Sequence, residues 1–156
     1  MRLEEKKVTV KEALKKVDGL IDDQAKTFSK DDLRVLYALA FTLYEGGDVQ
    51  EAKKVFERLI SCDPFTQKYW MGLAACSQQE KNYEEALKGW GMASLLENSN
   101  PTPHFHAAEC YMALENRDEG KKAIEACRKR LGNNVSLVAK LNHLADFCMR
   151  KEKEGA

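Results

Sequence analysis

The chain has 156 residues, enough for one domain with a real hydrophobic core. Lysine plus arginine equal aspartate plus glutamate at 25 each, so no net field draws the protein to nucleic acid or to an anionic membrane. No apolar run approaches the roughly 18 residues of a spanning helix, and Met1-Arg2-Leu3-Glu4-Glu5-Lys6-Lys7 leads into no signal-peptide core. Neither membrane insertion nor export by a cleaved signal is therefore expected.

In chain order, the first predicted element is a helix over 8–28, with Val10, Ala13, Leu14, Val17, Leu20 and Ile21 on one stripe and a mild interruption at Asp18-Gly19. From Leu33 the chain repeats itself every 34 residues. In the first half of each unit come Leu36, Trp70 and His104, then Leu39, Leu73 and Ala107, then the small Ala40, Ala74 and Ala108. In the second half come the small Ala52, Ala86 and Gly120, followed four residues on by Phe56, Trp90 and Ile124. Gly46-Gly47-Asp48, Lys81-Asn82 and Glu115-Asn116 mark the turn inside each unit. Asp48, Asn82 and Asn116 suit the N-cap of each second helix, with Glu51, Glu85 and Glu119 three residues later, as in a capping box. Asp63-Pro64 closes the first unit, because proline disfavours helical geometry in the residue before it. A last helix starts near Asn134 and carries Leu137, Val138, Leu141, Leu144, Ala145 and Met149; the polar end from Lys151 to Ala156 is expected to fray.

A 34-residue period with apolar residues at helical spacing, and small residues where two helices touch, is the pattern of a tetratricopeptide (TPR) array. A single helix pair cannot bury its own apolar face, so such units stack and share a core. The expected fold is all-α: an α-solenoid of three TPR helix pairs with an N-terminal helix and a C-terminal capping helix. The expected division is 1–32 for the N-terminal segment (a dimerisation element or a lid), 33–66, 67–100 and 101–132 for the repeats, and 133–156 for the cap and tail.

The first helix of each pair lines the concave side of such an array. Its inner positions carry Tyr37, Phe41 and Tyr44 in the first unit, an aromatic stripe at i, i+4 and i+7. In the second they carry Met71, Gly72, Ala75 and Gln78, and in the third Phe105, His106, Glu109 and Met112. Two readings stand. Either these residues are core beneath the N-terminal helix, or they form a groove whose aromatic walls hold apolar and proline anchors of an extended peptide. Where a clamp for a C-terminal carboxylate needs lysine, asparagine and arginine, the chain carries Tyr37, Phe41, Gly72, Thr102 and His106.

Chemistry is poorly represented. His106 and Cys110 lie one helical turn apart, but Cys110 shares its repeat position with Cys76 on the side expected to be buried, and nothing nearby would serve as an oxyanion donor. No catalytic residue, cofactor or metal site is expected, since His104 and His106 project to different sides of a helix. Five cysteines without a Cys-x-x-Cys pair suit a reducing compartment. The basic run Arg128-Lys129-Arg130 reads as an outer solvated face.

Beyond the generic repeat, the sequence resembles the class II TPR chaperones of bacterial type III secretion translocators. The matching stretches are Leu36-Tyr37-Ala38-Leu39-Ala40-Phe41 with Tyr44 and Gly47, Tyr69-Trp70-Met71-Gly72-Leu73-Ala74-Ala75-Cys76, and Pro103-His104-Phe105-His106-Ala107-Ala108-Glu109-Cys110. The resemblance implies a cytoplasmic bacterial protein without enzymatic activity. It would bind a proline-containing segment of secreted, hydrophobic translocator proteins and keep them soluble and export-competent. Tyr37, Phe41, Tyr44, Gly72, Phe105 and His106 match groove residues of that family. The resemblance also implies a homodimer through the N-terminal segment. Here that segment reads Lys15-Lys16-Val17-Asp18-Gly19-Leu20-Ile21 in place of a glycine-glycine-threonine-leucine stretch, which leaves the dimer open. The alternative function is a general TPR adaptor for a resident cytosolic partner.

Overall fold

The computed structural model describes residues 28–155, which hold seven helices and no strand. The helices are α1 (Lys30–Glu45), α2 (Val49–Cys62), α3 (Gln67–Gln79), α4 (Tyr83–Leu96), α5 (Thr102–Ala113), α6 (Arg117–Arg128) and α7 (Val135–Glu154). The helix expected over 8–28, with its roles as lid or dimer element, lies outside the described residues apart from Phe28, which is not helical. The chain forms two compact units, one ending at Pro64 and the other beginning at Phe65.

In the first unit α1 and α2 fold back on each other around Leu36, Ala40, Leu43, Ala52, Val55, Phe56 and Leu59, all buried. The start of α1 is set by a full capping box. Ser29 Oγ accepts from the Asp32 amide at 3.2 Å, and Asp32 Oδ2 accepts from the Ser29 amide at 3.0 Å. The box expected at Asp48 does not form, because the Asp48 side chain makes no capping bond. Asn82 and Asn116 do accept from the Glu85 and Glu119 amides, at 3.4 and 3.3 Å.

The three inner turns are copies of one another. Asp48, Asn82 and Asn116 each donate a backbone N–H, at 2.9 Å, to the carbonyl five residues back (Leu43, Ser77 and Tyr111). The residue before each takes a left-handed backbone, with φ of 88° at Gly47, 62° at Lys81 and 59° at Glu115. This is the Schellman closure of a helix C-terminus, and it recurs at the repeat period.

The second unit stacks the α3–α4 pair, the α5–α6 pair and α7. Ala74 and Ala86 are buried together with Trp90 and Cys110. At Gly89 a Cβ would sit 2.8 Å from the Ala74 Cβ, so glycine lets α3 and α4 meet. Further along, Phe105, Ala108, Ile124, Cys127, Leu137, Leu141 and Cys148 make one core shared by α5, α6 and α7. Two polar clamps hold the 97–101 loop. Buried Gln67 donates to the Ala93 and Glu97 carbonyls at 2.8 and 3.2 Å and accepts from Asn100 Nδ2 at 2.9 Å. Arg130 donates to the Asn98 carbonyl, to Asn98 Oδ1 at 3.0 Å and to the Ala126 carbonyl at 2.7 Å. Arg130 is therefore a fastening, in contrast to the free outer cation its run of charges suggested. The tail also differs from expectation: α7 continues to Glu154, and an ion pair from Lys121 to Glu152 ties it to α6.

Candidate functional site

In the first unit the aromatic stripe of α1 stands partly open. Tyr37 packs edge-on against Phe56, centroids 6.1 Å apart, and stacks with Phe41 at 6.4 Å. Phe56 is core, so it fixes the Tyr37 ring from behind; Phe41 remains 47% exposed and Tyr44 is half-buried. An open phenyl ring beside a fixed phenol is a flat apolar platform. Covering such a side chain is worth about 1.5–3 kcal/mol.

In the second unit the expected residues divide into two groups. Met71, Gly72 and Ala75 are half-buried on α3, with Met71 and Ala75 packed against the Ala74–Trp90 core. His106 and Glu109 join them through a polar chain absent from the repeat pattern. The Trp90 indole N–H donates to Gln78 Oε1 at 2.9 Å, and Gln78 Nε2 donates to Glu109 Oε1 at 3.2 Å. The same Glu109 oxygen lies 2.6 Å from His106 Nδ1. The His106 ring stacks on the Trp90 indole, centroids 4.6 Å apart and planes 21° apart. Sequence reasoning missed Trp90 as a member of this group. The available signal was that a buried indole requires an acceptor.

Phe105 and Met112 lie elsewhere. Phe105 was expected as an apolar groove wall, but it is 7% exposed and belongs to the core beneath α6 and α7. The helix after the third pair covers that face, and the repeat pattern says nothing about that helix's placement. Met112 packs on the same core and lines a cavity of ≈ 380 Å³ with Phe147 and Lys151.

Electrostatics favour a charged Glu109. Burial pushes its pKa up, but the His106 hydrogen bond and charge, the Gln78 amide and the Lys140 ammonium outweigh this and hold it below the usual carboxylate value. Cys110 is buried, and burial together with the neighbouring Glu109 charge pushes its thiol up to about 12 against a lowering contact from Trp90. Such a thiol is protonated at neutral pH and cannot act as the nucleophile of a His106 pair. The His104 Nε2 is buried without a hydrogen-bond partner among the described residues, while burial and then the Arg130 charge lower its pKa. No group of three His, Cys, Asp or Glu side chains among the described residues is arranged to hold a metal, and no described helix is long and apolar enough to cross a membrane.

Tetratricopeptide repeat models match residues 34–64 and 68–88. Low calcium response locus protein H of Yersinia pestis is 36% identical over 84 residues, covering 54% of this chain and 50% of that protein. The match thus spans about half the length of that relative. PcrH of Pseudomonas aeruginosa, solved in complex with the chaperone binding region of PopB, is 30% identical with a TM-score of 0.71, over 78% of this chain and 98% of that one. The Yersinia enterocolitica type III secretion chaperone SycD, solved with a peptide of the translocator YopD, is 26% identical with a TM-score of 0.77, over 81% and 99%. The helix pairs and their repeated turns define a TPR protein. The chain belongs to the type III secretion translocator chaperones of class II, a family of non-enzymatic secretion chaperones.

Proposed function

We propose that this protein is a cytoplasmic bacterial chaperone that holds an extended, proline-containing segment of a secreted hydrophobic translocator and keeps the client soluble and export-competent. The observation that carries the reading is the likeness to PcrH along 98% of that chain, in a structure that contains the chaperone binding region of PopB. The α1 stripe of Tyr37, Phe41 and Tyr44 supplies aromatic anchors. Met71, Gly72 and Ala75 on α3, with His106 and Glu109 on α5, supply a second, more polar contact face. Phe105 supports the latter from within the core, and Met112 lies toward α7. Repeats at 33–66, 67–100 and 101–132, with the 1–32 segment as dimer element or lid, belong to the same reading.

The test has two parts. A peptide spanning the PopB chaperone binding region is titrated against wild type, Phe41→Ala and Tyr44→Ala. Loss of either ring should weaken binding about tenfold or more, in line with the burial of one aromatic anchor. Unchanged affinity in both variants would remove the α1 stripe from the site. Co-purification from the native cytosol should recover a membrane-active secreted subunit. Recovery of resident cytosolic proteins alone would favour the adaptor.

A further inference from the structure

The polar chain on the second unit is an unusual thing to build into a face meant for apolar anchors. Gln78 and Glu109 come from different helices, 31 residues apart, and Trp90 comes from a third. A half-buried carboxylate is costly unless its bonds are supplied. Both of its bonds, from Gln78 and His106, fall on Oε1. Oε2 has no hydrogen-bond partner among the described residues, on a side chain 37% exposed. The carboxylate is thus pinned by one oxygen and open at the other. Its charge already faces the His106 ring and the Lys140 ammonium, so a neutral N–H dipole suits Oε2 better than a second cation.

We infer that Glu109 Oε2 is the acceptor for a backbone N–H of the bound client segment, and that Gln78 and Trp90 are positioning residues that hold it there. The inference rests on the peptide-binding reading above. An extended peptide leaves its amides unpaired, and a sequence-independent acceptor is how a chaperone grips clients of differing sequence. The Trp90 indole serves twice. Its N–H fixes the Gln78 amide in one orientation, so that the amide nitrogen faces Glu109. Its ring face fixes the His106 imidazole, which approaches the same carboxylate oxygen from the other side. Together they leave the carboxylate little rotational freedom, and an acceptor ordered before binding loses less entropy on use.

The experiment is a double-mutant cycle with the full chain and a synthetic peptide of the PopB chaperone binding region, N-methylated at one backbone position at a time. One N-methyl position should weaken binding to wild type about tenfold, the loss of a hydrogen bond to a charged acceptor. The same position should cost Glu109→Met nothing further. Gln78→Leu and Trp90→Phe should also abolish that penalty, because both act by holding the Glu109 carboxylate in place. Tyr44→Ala should weaken binding yet keep the penalty intact. If no N-methyl penalty depends on Glu109 while Tyr44→Ala still weakens binding, the inference is overturned and the peptide-binding reading stands. A Glu109 dependence that follows a lysine or arginine of the peptide instead would also overturn it. Failure of wild type to bind the peptide at all overturns both.

Discussion

Lys81 and Glu115 adopt the same left-handed backbone conformation, at φ 62° and 59°, one repeat apart and in register with Gly47 at 88°. Each sits just past a helix C-terminus, where the chain must reverse within three residues. A residue with a Cβ loses about 1–2 kcal/mol there, whereas glycine does not. Lys81→Gly and Glu115→Gly should therefore each stabilise the protein by about 0.5–1 kcal/mol. A rise in the urea midpoint with unchanged slope is the expected signal. Gly47→Ala should go the other way, and nothing crowds a Cβ there, so conformational strain alone would account for the loss.

Two glycines in α4, two residues apart, should respond oppositely to alanine. At Gly89 a Cβ would meet the Ala74 Cβ at 2.8 Å and its Cα at 3.2 Å. Overpacking of about 1–3 kcal/mol should exceed the roughly 1 kcal/mol gained in helix propensity, so Gly89→Ala lowers the melting temperature. At Gly91 a Cβ meets nothing within 4 Å, and Gly91→Ala should raise it. Thermal melts followed by circular dichroism compare the two directly.

Gln67→Leu should cost about 1–3 kcal/mol although it places an apolar side chain at a buried position. The substitution strips the Ala93 and Glu97 carbonyls of their donor and the Asn100 amide of its acceptor. Hydrogen exchange should reveal the damage locally, with lost protection at the end of α4 and the start of α5.

Thiol chemistry separates the cysteines. Cys62 is exposed; Cys76, Cys110, Cys127 and Cys148 are buried. Burial raises the Cys127 thiol despite Arg128 and Arg130, and the Cys110 thiol stands at about 12. Ellman's reagent should find a single fast thiol in the native protein, abolished by Cys62→Ser, and all five in denaturant. A second fast thiol would mean that the second unit opens readily.

The helix pairs were legible because their cause is periodic. Two helices approach closely only where small residues meet, and Ala40, Ala52, Ala74, Ala86 and Ala108 are each at most 1% exposed. The turns were legible too, because Gly47, Asn82 and Asn116 are residues that suit a chain reversal. The left-handed Lys81 and Glu115 were not, since neither residue type signals a positive φ. The Ser29 capping box escaped notice because it precedes the repeat and so has no counterpart one period later.

The sequence by itself determined that this chain is built of helix pairs, because small residues spaced among bulky ones let two helices approach and bury their apolar faces. Only the tertiary structure decided which inner residues remain open. Phe105 is covered by helices beyond its own, and Glu109 is pinned by Gln78 and Trp90 at separations unrelated to the 34-residue period. Contacts that recur with the repeat are written locally. Contacts set by how a non-repeated helix packs, or by which polar groups must satisfy one another once buried, depend on distances that exist only after folding.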